Sequence, residues 1–351
     1  PEINSLTYRG YAAQDLCAKC KFEEVAYLIL NGQLPNKKQL KDFEKKERKE
    51  RKLSKTLLED IKKFPQKAHP MDVARTVVSI MGLEDKETKD NSPKANMRKI
   101  MRIFSKTPVA LAAFYRTRKG KKIIPPKNNL SFSENFFYMC FGKVPNKEIV
   151  KAFDVSLILY AEHSFNVSTF TARTITSSLS DIHGAITGAI ASLKGPLHGG
   201  ANEEVMHMMN KIKKPENALK WINKALDNKD VVMGFGHRVY KNGDSRVPTM
   251  REYFGKVAKI KKDKKFEKIY NIVEKVMIER KNIHPNVDYP TGPTYHLMGF
   301  DTDFFTPIFV ISRITGWSAH IIEQYTANKL IRPLASYKGN QHRKVIQLNQ
   351  R

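Results

Sequence analysis

Apolar residues recur along most of this chain at three- and four-residue spacing, and strict alternation is nearly absent. That period belongs to helices with one buried face, so the pattern predicts a predominantly helical, all-α fold. FEEVAYLILNG (22–32) shows it and stops at Asn31-Gly32, a helix C-cap signal. Asn36 caps a charged helix, and Ser54 begins another with Leu57, Leu58 and Ile61 on one face. AHPMDVARTVVSIMG (68–82) opens on a proline turn, with Asp72 as the expected N-cap and Arg75 in the first turn. A cation is poorly placed there against the helix dipole. Arg75 is therefore either a plain surface arginine or one with an assigned anionic partner. Helices over 95–116 and 147–162 follow, joined through a turn-rich segment containing Pro125 and Pro126.

In HSFNVSTFTAR (163–173) His163 and Asn166 interrupt an otherwise apolar helical pattern. DIHGAITGAIASLKG (181–195) carries a stripe of Gly184, Ala185, Gly188, Ala189 and Ser192. Small residues on one face predict a close helix crossing, for which a second copy of the same helix in a symmetric dimer is one candidate. Helices are expected at roughly 200–212, 215–228, 248–260 and 264–281. NVDYPTGP (286–293) breaks the pattern with Pro290, Gly292 and Pro293 and sets Asp288 beside the break. The last apolar helix spans 307–325, and Arg332 precedes a proline and is therefore extended.

Composition changes little in this picture. The 351 residues are enough for two domains, and 41% apolar content is ordinary for a globular chain. No run reaches the roughly 18 apolar residues of a membrane helix. The most apolar one, 307–317, contains Arg313, which would need an anionic partner if buried. The chain starts at Pro1 without a leader, so a short N-terminal piece is expected to be missing and a cytoplasmic location is the default. The net charge of +27 raises nucleic-acid binding as an alternative. However, the lysines are spread along helix faces, and no nucleic-acid-binding motif accompanies them. Anionic small-molecule ligands are the stronger reading. Of the three cysteines, Cys17 and Cys20 form a lone CxxC with no second pair for zinc.

Some residues are not explained by local pattern. His198 in GPLHGGANE (195–203) and His237 in GFGHRVYKNGDSR (234–246) both sit among glycines. Alongside them stand His163, Asp288, Arg75, Arg246, Arg313 and Arg332. No nucleophile motif, P-loop or GxGxxG is present, and no HExxH supports a metal, so none is expected. Several arginines suit a substrate with two or more carboxylates. One carboxylate base and two imidazoles suit removal of a proton next to a carbonyl.

GPLHGGANE, GFGHRVYKNGDSR, NVDYPTGP, SRITGW and KLIRP together resemble the citrate synthase family in its short bacterial and archaeal form. The resemblance runs from YRGY (8–11) through HPMDVAR (69–75) to the C-terminal RP segment. It implies a helical homodimer with a large domain (1–199 and 300–351) and a small domain (200–299) that closes over the substrates. It also implies condensation of an acyl-CoA with oxaloacetate, without a permanently bound cofactor. Asp288 would be the base, His198 the group that stabilises the enol oxygen, and His237 the group that polarises the ketone of oxaloacetate. His163, Arg246, Arg313 and Arg332 match carboxylate-holding positions, Arg332 across the subunit interface, with Arg75 a weaker match. Val231, Val232, Met233, Gly234, Phe235 and Lys241 match the region that meets CoA. HSFNVSTFTAR, TGWSAHIIEQ and the apolar Leu334 resemble the 2-methylcitrate branch of the family, which prefers propionyl-CoA and serves propionate breakdown. Acetyl-CoA is the alternative thioester.

Overall fold

A computed structural model of the chain describes residues 5–240 and 242–351. Among them the only strands are a two-residue ladder, β1 (Thr7–Tyr8) against β2 (Tyr11–Ala12). Sixteen α-helices and two short 3-10 turns supply the remaining regular structure. The first eight are α1 (Ala13–Lys19), α2 (Phe22–Asn31), α3 (Lys37–Glu50), α4 (Lys55–Lys63), α5 (Pro70–Glu84), α6 (Pro93–Thr117), α7 (Phe132–Phe141) and α8 (Lys147–Tyr160). The second eight are α9 (Val167–Ser177), α10 (Ile182–Leu193), α11 (Ala201–Ile212), α12 (Pro215–Asp227), α13 (Val247–Ile260), α14 (Lys265–Lys281), α15 (Asp288–Met298) and α16 (Phe305–Thr326). No helix among the described residues is long and apolar enough to cross a membrane.

Local chemistry accounts for most boundaries. Gly32 ends α2 in the left-handed conformation, and Asn36, Ser54 and Asn166 accept the first free N–H groups of α3, α4 and α9. Three expectations are corrected. His69, not Asp72, caps α5: Pro70 takes the N1 position, and the His69 Nδ1 accepts from Met71 N at 3.2 Å. The turn-rich stretch before 147 contains a full helix, α7, announced by the Ser131/Glu134 capping box and hidden by an aromatic run with no polar face. NVDYPTGP does not end a helix but starts one. Pro290 falls in the first turn of α15, where its missing N–H is harmless, and Pro293 is carried inside the helix.

The centre of the molecule is α16, whose Ile308, Val310, Ile311, Ile314, Trp317 and Ile321 are buried against α2, α6, α8, α9 and α10. Gly316 permits the closest approach. A Cβ there would lie 2.5 Å from the carbonyl oxygen of Ala161, the acceptor of Gly316 N at 3.1 Å. The small-residue stripe of α10 also serves a crossing inside the chain, since a Cβ on Gly188 would meet Ile175 of α9 at 2.2 Å.

Candidate active site

The site forms where the C-terminus of α8 meets α16. The last carbonyls of a helix have no partner within it, and here each finds one from a distant segment. Tyr8 Oη donates to Ile158 O at 2.8 Å, and Arg313 Nε donates to Tyr160 O at 2.5 Å. Ser312 Oγ donates to Leu157 O. The Tyr160 ring stacks on Phe309 of α16 with centroids 3.9 Å apart, and its hydroxyl donates to Asp288 Oδ1 at 2.5 Å. Asp288 is the first residue of α15, and its N–H donates to Asn286 Oδ1 at 3.1 Å. Burial pushes the Asp288 carboxyl up to about 6, against the opposing pull of the Tyr160 hydroxyl and Arg246. A carboxylate in that range is a stronger base than one in water.

His198 lies in the tight turn between α10 and α11, its N–H donating to Gly195 O at 2.9 Å. Its Nε2 accepts from Ser168 N at 3.2 Å, an N–H in the first turn of α9 with no partner in its own helix. A ring nitrogen that accepts from an amide carries no proton, so the neutral ring is protonated on Nδ1. Burial and the nearby Arg313 lower its pKa to about 4, which keeps it neutral at physiological pH.

His237 has the opposite tautomer. Its Nδ1 accepts from Val239 N at 3.0 Å and from Tyr240 N at 3.2 Å, which assigns the proton to Nε2. The ring stacks on Tyr240 at 4.6 Å and lies 5.1 Å from the His163 ring. Its loop is tied to the residues before Asp288: Gly236 N donates to His284 O and Asn286 N to Gly234 O, both at 2.9 Å. Gly234 adopts φ +86°, and a Cβ there would meet Val205 at 2.6 Å.

Two buried guanidiniums face the same space. Arg246 makes a bidentate pair with Asp244, Nε to Oδ1 at 2.9 Å and Nη2 to Oδ2 at 2.7 Å. Burial works against the charged form of Asp244, but Arg246 outweighs it and holds the carboxyl down to about 2. The N-terminal segment braces this loop, Leu6 N donating to Ser245 Oγ at 3.1 Å and Gln14 Nε2 to Ser245 O at 2.8 Å. Arg313 was expected to need an anion, and no carboxylate of the described residues lies within ion-pair distance of it. Its Nη1 is buried without a hydrogen bond, as is Nε2 of His163. Burial, with Arg246 and Arg313 adding to it, lowers His163 to about 2, so its ring is neutral. Unsatisfied donors on a buried cation are expensive unless a ligand takes them up.

One cavity of about 620 Å³ is lined by Tyr160, His163, His198, His237, Arg246, Asp288 and Arg313. Val231, Val232, Met233, Gly234 and Phe235 line it as well, and Leu197 and Val231 give it an exposed apolar rim. Lys241 lies outside the described residues. Two of the arginines singled out in the sequence do not join this cavity within the chain. Because α5 starts at Pro70, Arg75 falls in its second turn rather than the first; it is half exposed and pairs with Asp72 at 2.9 Å. Arg332 lies in the extended segment after α16 and is exposed, its Nη1 donating only to the carbonyl of its neighbour Pro333. Among the described residues no group of three or more His, Cys, Asp or Glu is placed to hold a metal ion. Sequence reasoning missed Tyr160, Ser168, Asp244 and Asn286. Of these, only Asp244 and Asn286 had a local signal, each standing two residues before a residue already singled out.

A profile described as "Citrate synthase, C-terminal domain" matches residues 1–334. "2-methylcitrate synthase 2" of Corynebacterium glutamicum is 52% identical, over 100% of this chain and 93% of its own length. "Citrate synthase" of Mycolicibacterium smegmatis is 51% identical, over 99% and 92%. Among solved structures, the citrate synthase of Thermoplasma acidophilum, in a ternary complex with carboxymethyl coenzyme A and oxaloacetate, superposes with a TM-score of 0.93. It is 32% identical and covers 99% of this chain and 93% of its own. Fold, cavity and relatives define an all-α acyltransferase. The chain belongs to the citrate synthase family.

Proposed function

We propose that this protein condenses propionyl-CoA with oxaloacetate and water to give 2-methylcitrate and CoA, with some turnover of acetyl-CoA to citrate. The observation that carries this reading is the convergence of Asp288, His198, His237, Arg246 and Arg313 on one cavity. Asp288 removes the proton from the carbon next to the thioester carbonyl. That carbon is a far weaker acid than a carboxyl near 6, so the electron pair must be received by a stabilised oxygen. Nδ1–H of His198 supplies the hydrogen bond to the enol oxygen as it forms. The enol carbon attacks the ketone carbon of oxaloacetate, and Nε2–H of His237 donates to the ketone oxygen, which becomes the product hydroxyl. Water then cleaves the thioester and CoA leaves with a proton. Arg246, Arg313 and His163 hold the carboxylates of oxaloacetate, and Val231–Phe235 face the CoA chain, Lys241 being assigned to the same CoA-binding set from the sequence. Residues 200–299 form a small domain that closes on the rest.

The relatives named above include both citrate and 2-methylcitrate synthases, so the choice of thioester is the finer question. One methylene is worth about 1–3 kcal/mol in an apolar pocket. CoA release with each thioester should therefore give the higher kcat/KM for propionyl-CoA, with acetyl-CoA still turned over. A tenfold or greater preference for acetyl-CoA assigns the protein to the citrate synthases instead, and release with neither overturns the condensation.

A homodimer completes the site, with Arg332 entering the cavity of the second subunit. Its support is the extended segment 327–351, which exposes Leu330, Leu334, Tyr337, Val345 and Leu348 and needs a surface to cover them. Co-expressing Arg332→Ala with Asp288→Ala tests this. Each variant alone is nearly inactive, but a mixed dimer keeps one intact cavity, so about a quarter of the activity returns on random pairing. No recovery means Arg332 acts within its own chain, and full activity of Arg332→Ala by itself means it does not act at all.

A further inference from the structure

The buried hydroxyl of Tyr160 belongs to no role assigned above, yet it touches the carboxylate proposed as the base. We propose that Tyr160 is a positioning residue for Asp288, its hydroxyl fixing one carboxylate oxygen so that the other alone meets the substrate. The inference rests on the reading of Asp288 as the base.

Three observations carry it. The contact is short and direct, Tyr160 Oη to Asp288 Oδ1 at 2.5 Å. Tyr160 cannot swing away, because its ring is fully buried and stacked on Phe309 at 3.9 Å and its own carbonyl holds Arg313 Nε at 2.5 Å. The opposite side of the base is fixed as well, since the Asp288 N–H donates to Asn286 Oδ1 at 3.1 Å. A carboxylate normally rotates freely about its last torsion. Here the tyrosine removes that freedom and points Oδ2 in one direction.

The charged and titratable groups around Asp288 come from three elements besides its own helix. They are Tyr160 at the end of α8, Asp244 and Arg246 in the loop before α13, and Arg313 on α16. Arg246 is already engaged by Asp244, and Arg313 gives its Nε to a carbonyl. The tyrosine hydroxyl is therefore the direct donor that favours the ionised base against its burial. The hydroxyl itself stays protonated, because burial and the neighbouring Asp288 raise its pKa well above the ordinary value. It can give a hydrogen bond without exchanging its proton. One residue thus links the two substrate halves, with its side-chain hydroxyl on the base and its main-chain carbonyl on the arginine proposed to hold oxaloacetate.

The test is the pH profile of Tyr160→Phe, which keeps the ring and its stacking. Without the donor the carboxylate is harder to ionise and no longer oriented. The acid limb of kcat is expected to move up by about one pH unit, and kcat at its plateau to fall about tenfold or more. KM for oxaloacetate and the melting temperature should stay within about twofold and a few degrees of the parent. A merely structural tyrosine would change stability or KM and leave the acid limb in place, and that result overturns the proposal. Asp288→Asn run beside it separates the two readings. If Asp288→Asn is inactive while Tyr160→Phe keeps the parent profile, the base stands and the positioning role falls. An active Asp288→Asn removes both.

Discussion

Replacing Asp288 by alanine is expected to lower kcat by about three orders of magnitude or more while leaving the fold intact. The proposed reaction begins with loss of a proton from carbon, and among the described residues no other carboxylate lines this cavity. Water cannot substitute, since a base of about the strength assigned to Asp288 is needed beside a buried acceptor for the electron pair. The same variant should be no less stable than the parent. The Asp288 carboxyl titrates higher in the folded chain than the ordinary 3.8, so folding disfavours its ionised form. That penalty is absent in acid and complete above about pH 6, where it is on the order of 3 kcal/mol before the lost tyrosine bond is counted against it. Thermal unfolding at pH 7.5 and steady-state CoA release check both halves. Residual turnover above about 1% places the base elsewhere.

The second large effect belongs to Arg313→Leu. Its Nη1 is buried with no hydrogen-bond partner, and among the described residues no carboxylate pairs with it directly, Glu162 offsetting its charge only from a distance; its pKa, lowered by burial to about 10, keeps it cationic. A ligand carboxylate accepting from it forms a charge-assisted bond in a site shielded from water. Losing that bond should raise KM for oxaloacetate about a hundredfold or more, with a smaller effect on KM for the thioester. Stability should hold or rise, because a well-packed aliphatic side chain replaces a buried ion with no direct carboxylate partner. Against that gain stand the lost bond to the Tyr160 carbonyl and the lost contact of the guanidinium with the Phe309 ring, 4.7 Å from its centroid. An oxaloacetate KM within about threefold of the parent would show that Arg313 is a structural arginine that caps α8 and nothing more.

The helices were legible in the sequence because each advertises itself locally, through a cap, a period and a stop. Where the reading went wrong, a local rule had a competitor. At His69 the proline moved the cap three residues upstream of Asp72, and at Asp288 prolines that look like breakers sit where a helix tolerates them. The α7 helix was hidden because burial on all sides erases the polar face that periodicity needs. The histidines, Asp288 and Arg313 stood out because glycines, prolines or an apolar run surround them. Tyr160 and Ser168 could not be found in that way. Each is ordinary in its own helix and acquires a role only through a partner far away in sequence. Arg75 shows the reverse: it stood out locally, and its explanation, Asp72, was local too.

Those distant partners also set the order in which the protein can become an enzyme. The hydrogen bonds that shape the cavity join Tyr160 to Asp288, Tyr160 to Arg313 and Gln14 to Ser245, across separations of 128, 153 and 231 residues. Closing such long loops comes late and slowly. A nascent chain can form its α-helices as they emerge, but it has no cavity until Arg313 is released and the N-terminal segment has found Ser245. Activity should therefore return after helicity in refolding, with a lag that tracks the docking of the chain's two ends rather than the formation of its helices.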